Sequence, residues 1–197
     1  MPKIKHIVIV GAGFGGLKIE RALNNNPHYS ITLIDKNNYH QFQPLFYQVA
    51  TASLDASNIS FPLRKIFQKS KNVRIKIAEV NEIVSTENVL HTSIGNIQYD
   101  YLIVATGADT NYFGNMPIMQ HAYPMKTTIE ALQLRNRLIE NFEQATLATD
   151  EHTLQKLLNI VVVGGGPTGI ELSGALAEMK QYILPKEYPE IDCSLMK

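Results

Sequence analysis

Two glycine-rich hexads carry the residues of this chain best able to do chemistry. In Gly11-Ala12-Gly13-Phe14-Gly15-Gly16, the residues Gly11, Gly13 and Gly16 fit a G-x-G-x-x-G pattern, directly after an apolar run and at the mouth of a helix-like stretch. Gly11 permits a sharp strand-to-helix turn, Gly13 lacks the Cβ that would block a pyrophosphate, and Gly16 lets helix and strand backbones approach. The N–H groups and dipole of the helix N-terminus then favour the negative charge of phosphates. Asp35 closes the next apolar run 19 residues after Gly16, where a carboxylate takes ribose hydroxyls and disfavours a phosphorylated ribose. A glycine triplet alone also serves structural turns. Strand, helix and terminal acid together make a dinucleotide cradle the better reading.

The second hexad, Gly164-Gly165-Gly166-Pro167-Thr168-Gly169, repeats the register through Gly164, Gly166 and Gly169, and small Ser173 and Gly174 suit close helix packing. Two turns of this type imply two dinucleotides. The acid that would choose between NADH and NADPH at the second turn falls beyond Lys197, so both stay open here. Between the hexads, a buried run over 101–105 ends at the small residues Ala105, Thr106 and Gly107, leaving room for a cofactor at the strand's carboxyl end. By itself that is a strand end.

The elements that must position these residues follow from periodicity. Residues 4–10 and 31–35 read as buried β-branched strands around a helix at about 14–23, one βαβ unit. Residues 36–57 carry aromatics, Gln, Pro and Asn without a period and predict a long structured loop. A short helix is expected over 59–67, a strand over 73–80, and a small antiparallel insert from 82–92 and 97–99. Thr127 and Glu130 form a capping box opening a helix to about residue 146, with Ile129, Leu132, Ile139 and Phe142 inward. Residues 149–155 read as a linker, 160–163 as a strand, 170–182 as a helix and 191–196 as the start of another strand. The expected division is 1–125, a connecting helix and linker over 126–157, and a second, incomplete unit over 158–197. Its unfinished sheet would expose an apolar edge.

Composition narrows the partners. The 197 residues are 45% hydrophobic, enough for a packed core, and 18 basic residues balance 18 acidic ones. No strong field favours a nucleic acid or an anionic surface. There is no apolar run of spanning length and no long apolar start, so the expected place is soluble and cytoplasmic. Cys193 is the single cysteine, which excludes an internal disulfide, a thiolate cluster and a two-cysteine relay within these residues.

The order and spacing of residues 11–16, 101–108 and 164–171 resemble the two-dinucleotide-binding flavoproteins related to glutathione reductase. The cysteine-free run Asn37-Asn38-Tyr39-His40-Gln41-Phe42-Gln43-Pro44-Leu45-Phe46-Tyr47-Gln48-Val49-Ala50-Thr51, with Gly166-Pro167-Thr168-Gly169-Ile170-Glu171-Leu172-Ser173-Gly174-Ala175-Leu176, resembles the type II NADH:quinone oxidoreductases, single-subunit and non-proton-pumping. That resemblance covers essentially the whole chain. It implies an α/β, Rossmann-like, three-layer flavoprotein fold with two dinucleotide-binding domains, the second truncated. It places FAD pyrophosphate on Gly11, Ala12, Gly13, Phe14, Gly15 and Gly16, adenosine ribose at Asp35 beside Lys36, the flavin against His40 and Pro44, and adenine at the Val80 backbone. NADH pyrophosphate would lie on Gly164, Gly165, Gly166, Pro167, Thr168 and Gly169, and Glu171 would be the acid near nicotinamide and flavin. The implied reaction passes hydride from NADH to FAD and electrons to a quinone. The missing remainder would carry the membrane contact on the inner face of the cell membrane, leaving the fragment inactive alone and room for a homodimer. Another FAD-dependent NAD(P)H reductase, serving ferredoxin or rubredoxin, or a non-catalytic nucleotide-binding fragment, is the alternative.

Overall fold

The computed structural model describes residues 3–197. Along the chain run β1 (Lys5–Val10), α1 (Phe14–Leu23), β2 (Tyr29–Asp35), β3 (Tyr39–Gln41), α2 (Phe46–Ala50), β4 (Ser60–Pro62), α3 (Leu63–Ile66) and β5 (Val73–Ile77). They are followed by β6 (Val80–Val84), β7 (Val89–Thr92), β8 (Gly95–Gln98) and β9 (Tyr101–Val104). Helices α4 (Met116–His121), α5 (Thr128–Thr146), α6 (Glu151–Leu158), α7 (Pro167–Glu178) and α8 (Leu184–Glu187) complete it. Two compact units result: one runs to Gln41 and resumes over Ser60–Asp109, the other comprises Phe42–Ile59 and Thr110–Lys197.

The first unit is built on a parallel sheet of order β5-β2-β1-β9. The inner stretches of its central strands, residues 7–10 and 31–34, are buried because both faces of the sheet are covered. On one face Ile7, Ile9, Ile31 and Leu33 pack with Leu17 of α1 and with Leu63 and Phe67 at α3. On the other, Val8, Val10 and Ile34 pack with Leu90 of the antiparallel β6-β7-β8 insert. That makes three layers. The Asn72 side-chain amide donates to the carbonyls of Leu23, Asn26 and Tyr29, pinning the α1–β2 connection to the strand that follows.

Several expected boundaries move. The helix over 59–67 is confined to Leu63–Ile66, because residues 60–62 pair antiparallel with Tyr39–Gln41 and Pro62 holds the backbone extended before it. The strand over 73–80 splits: pairing with β2 stops at Asp35 and Ile77, and Val80 opens β6, which has a register shift before Glu82. Residues 36–57, read as loop, contain β3, α2 and two 3₁₀ turns.

The second unit contains only helices and connecting turns among the described residues. The capping box at α5 forms as expected, Thr127 accepting from the Glu130 amide and Glu130 from the Thr127 amide. Its inward face forms only in part: Phe142 is buried and Leu132 packs half-buried against a core cluster, but Ile129 and Ile139 are 56% and 41% exposed, and Ala131, Leu138 and Ala145 are buried in their place. The phase is set by Ala131, small enough to let α2 approach and joined in one cluster with Phe46, Val49 and Ala50. The linker at 149–155 is instead the start of α6, with the Asp150 carboxylate accepting from the Thr153 amide. Residues 160–163 are not a strand, and 191–196 form a 3₁₀ turn over Cys193–Leu195. A strand needs a ladder partner for its N–H and C=O groups. Here the Ile160 amide finds only the Lys197 carbonyl. The helix begins at Pro167, earlier than residue 170, because proline suits a first helical position, and it passes into a π-helical turn at Met179–Ile183 before α8. Leu138, Phe142, Leu158, Leu176, Met179 and Leu184 form the core.

Candidate dinucleotide-binding site

The first glycine turn is fixed from both sides. Gly11 has φ of +103°, and a Cβ there would run into the Ala105 carbonyl oxygen at the end of β9. A Cβ on Gly16 would strike the Gly11 carbonyl, whereas nothing stands within 4 Å of the position a Cβ on Gly13 would take. The turn is therefore closed at its outer glycines and open at the middle one. Gly13 is the N-cap of α1, extended at φ −72° and ψ −167°, with no side chain capping the helix. An open surface before a helix N-terminus is the shape a pyrophosphate needs.

Ala12, the residue between the glycines, has both backbone groups held. Its N–H donates to Asp35 Oδ2 at 2.7 Å, and its carbonyl accepts from His40 Nδ1–H at 3.0 Å. The other Asp35 oxygen accepts from the Asn37 amide at 2.7 Å. A carboxylate oxygen has two acceptor directions, so each retains capacity for a ribose hydroxyl. His40 is buried, with Phe14 edge-on at 5.3 Å and Phe61 stacked at 6.5 Å between ring centroids. It is a clamp on the turn.

The structure thus brings Gly11–Gly16, Asp35, His40 and Ala105 together. Thr106 and Gly107 continue from Ala105 as exposed residues, Gly107 at φ +74°. Lys36 is exposed beyond Asp35. Val80 pairs with Thr92 and rests against the cluster of Val8, Val10 and Ile34. Pro44 lies exposed in a 3₁₀ turn of the second unit.

The second turn repeats the local geometry. Gly164 has φ of +111°, a Cβ on Gly169 would meet the Gly164 carbonyl, and Gly166 caps α7 at φ −77° and ψ 177°. Gly165, Pro167 and Thr168 are exposed. Glu171 is exposed too, and because α7 begins at Pro167 it stands in the second turn of the helix.

One titratable residue near the first turn belongs to no motif in the sequence. Glu20 of α1 is fully buried and neither carboxylate oxygen has a hydrogen-bond partner. Burial pushes its carboxyl up to about 7, only partly offset by neighbouring Arg21. Its spacing of four from Gly16, on the face that also buries Leu17, was the available signal.

Known proteins share the sequence and the fold over this span. The chain is 38% identical over 195 residues to the type II NADH:quinone oxidoreductase Ndh of Mycobacterium tuberculosis, covering 97% of this chain and 42% of that protein. NDH2 from Plasmodium falciparum, solved in complex with NADH, superposes with a TM-score of 0.89 at 25% identity, covering 99% of this chain and 41% of that one. The sulfide:quinone oxidoreductase of Aquifex aeolicus gives a TM-score of 0.70 at 25% identity, over 94% and 41%. The chain spans about two-fifths of the length of these relatives. The model of the pyridine nucleotide-disulphide oxidoreductases matches residues 5–187, taking in both glycine turns, β9 and Asp35. With two like-shaped turns in one chain and that match across nearly all of it, the chain belongs to the pyridine nucleotide-disulphide oxidoreductase family.

Proposed function

We propose that the chain is the FAD-holding and NADH-docking part of an FAD-dependent NADH:quinone oxidoreductase that does not pump protons. The observation that carries this is the first turn: open at Gly13, closed at Gly11 and Gly16, and tied through Ala12 to a ribose-competent acid, Asp35. Residues 1–125 hold FAD, 126–157 connect, and 158–197 open the NADH site. In this reading the amides over Gly11–Gly16 take the pyrophosphate and Asp35 the adenosine ribose, with Lys36 and the Val80 backbone alongside. Ala105, Thr106 and Gly107 leave room beside the turn, and His40 and Pro44 border the flavin. Gly164, Gly165, Gly166, Pro167, Thr168 and Gly169 cradle NADH, and Glu171 borders its nicotinamide. Bound FAD supplies hydride acceptance from NADH and two-electron delivery to quinone. The chain's own residues bind and orient, so no side-chain nucleophile is required.

The residues outside this chain's span supply the quinone site and a peripheral contact with the inner face of the cell membrane, and the assembled protein is a homodimer. No helix among the described residues is long and apolar enough to cross a membrane. The test is the visible spectrum of the chain joined to the rest of its polypeptide, before and after anaerobic NADH. Flavin absorbance that bleaches and returns with a soluble quinone is expected. Protein purified folded yet unable to retain FAD overturns the reading, and recovery with ferredoxin or rubredoxin but not quinone reassigns the acceptor.

A further inference from the structure

The sheet face covered by the insert holds a second polar feature, towards the amino ends of β1 and β2. A cleft of about 410 Å³ opens there, within the range of small-molecule sites. Its floor is His6, Ser30, Thr32, Arg74 and Lys76, all pointing from one face of the sheet. Register explains the grouping: Ser30 lies opposite His6, and Arg74 opposite Thr32. Ile94, Asn96 and Ile97 of the insert form the roof.

The electrostatics are one-sided. Among the described residues neither Arg74 nor Lys76 has an ion-pair partner. The carboxylate at this end of β1, Asp100, is already engaged by Lys5 at 2.9 Å and the His6 amide at 2.7 Å. His6 Nε2 and Thr32 Oγ1 are hydrogen-bonded at 2.9 Å, which holds the floor in place. What remains lining the cleft is two cations and Ser30, with Asn96 at its rim, beside Ile94 and Ile97. Guanidinium and ammonium groups converging with neutral donors recognise a phosphate dianion, and the apolar roof suits the carbon part of its ester.

We propose that this cleft is an anion site separate from both glycine turns, taking a phosphate monoester through Arg74 and Lys76. The phosphate could belong to a soluble metabolite or to a lipid headgroup, and two assays separate these sources. In the first, ¹⁵N spectra of the whole chain are followed during titration with inorganic phosphate at constant ionic strength against chloride. Saturable shifts at Ser30, Arg74, Lys76 and Asn96 are expected, weakened about tenfold or more in Arg74→Gln/Lys76→Gln. Lys76→Gln alone serves if the double variant loses its dispersed spectrum. In the second, sedimentation with phosphatidic acid vesicles against phosphatidylcholine vesicles asks whether a headgroup is bound. Binding lost in the variant assigns the phosphate to a headgroup, and its absence with the phosphate shifts intact assigns it to a soluble ester. Shifts that follow chloride, or that persist in the variants, overturn the proposal, leaving Arg74 and Lys76 as charges that guard the β5 edge.

Discussion

The two glycine turns are nearly superposable in their local description and very different in what surrounds them. Both start at a glycine with φ above +100° and both end at a glycine whose Cβ would strike the carbonyl of the first. Yet Gly11 abuts the Ala105 carbonyl of a paired strand, while a Cβ on Gly164 would meet nothing within 4 Å. Ala12 has its amide held by Asp35 and its carbonyl by His40, whereas Gly164, Gly165 and Gly166 are exposed. The shape of such a turn is thus local, set by glycine spacing and the following helix. Its rigidity comes from the sheet and the acid around it. A preorganised cradle loses less ordering entropy when a ligand arrives, which is why the proposed function gives the retained cofactor to the first turn.

This difference gives the largest expected effect. Gly11→Ala combines a left-handed backbone with collision against fixed backbone and should destabilise the first unit by about 3–5 kcal/mol. Gly164→Ala carries only the backbone term, about 1–2 kcal/mol. Hydrogen exchange resolved by unit measures both, and equal losses would break the comparison. A slightly smaller effect concerns Glu20, whose folded carboxyl titrates at about 7 against an ordinary 4.5. Between these values the folded state holds more proton than the unfolded one, so stability falls as pH rises from about 5 to 8. The full loss is ~3 kcal/mol. Glu20→Met should remove that slope and stabilise the protein at pH 8; a variant melting with the same pH dependence would show that another group is responsible.

How much was legible in the sequence follows the same divide. Strand, turn, helix and acid of the first unit were readable because each is specified by near neighbours: β-branched runs, glycine spacing, and an acid at a strand end. The clamp on Ala12 was not readable as such, since it needs His40 folded back onto the turn from β3. The strand expected over 160–163 was a fair reading of an apolar run, but a strand exists only with a partner to share its hydrogen bonds. On α5 the apolar pattern finds Phe142 but also favours Ile129 and Ile139, while close packing favours the small Ala131. Glu20 does not stand out in the sequence because an acid inside an amphipathic helix normally faces solvent, whereas this one is buried.

Asp35→Asn sharpens the contrast at the first turn. An amide can still accept one of the two backbone hydrogen bonds, but it offers a donor where the other N–H points and carries no charge. Losing a charge-assisted bond to Ala12 or Asn37 costs about 2 kcal/mol. Under the proposed function the variant should also release FAD more readily. Retention at the parent level after dialysis would show that Asp35 serves the turn and not the ribose.

The smallest effect tests the cohesion of the second unit. Its described part has no sheet, so helix ends and side-chain packing must stabilise it. The capping box at α5 satisfies the Glu130 and Thr127 amides together, and α5 carries Ala131 in one core cluster and Leu138, Phe142 and Ala145 in another. Thr127→Ala leaves the Glu130 amide without its cap and should cost about 1 kcal/mol. Because α5 joins both clusters, the loss should appear as faster exchange over α2, α5 and α7 alike. Faster exchange confined to the first turn of α5 would instead mean that the unit is held by packing alone and that its helix end frays independently.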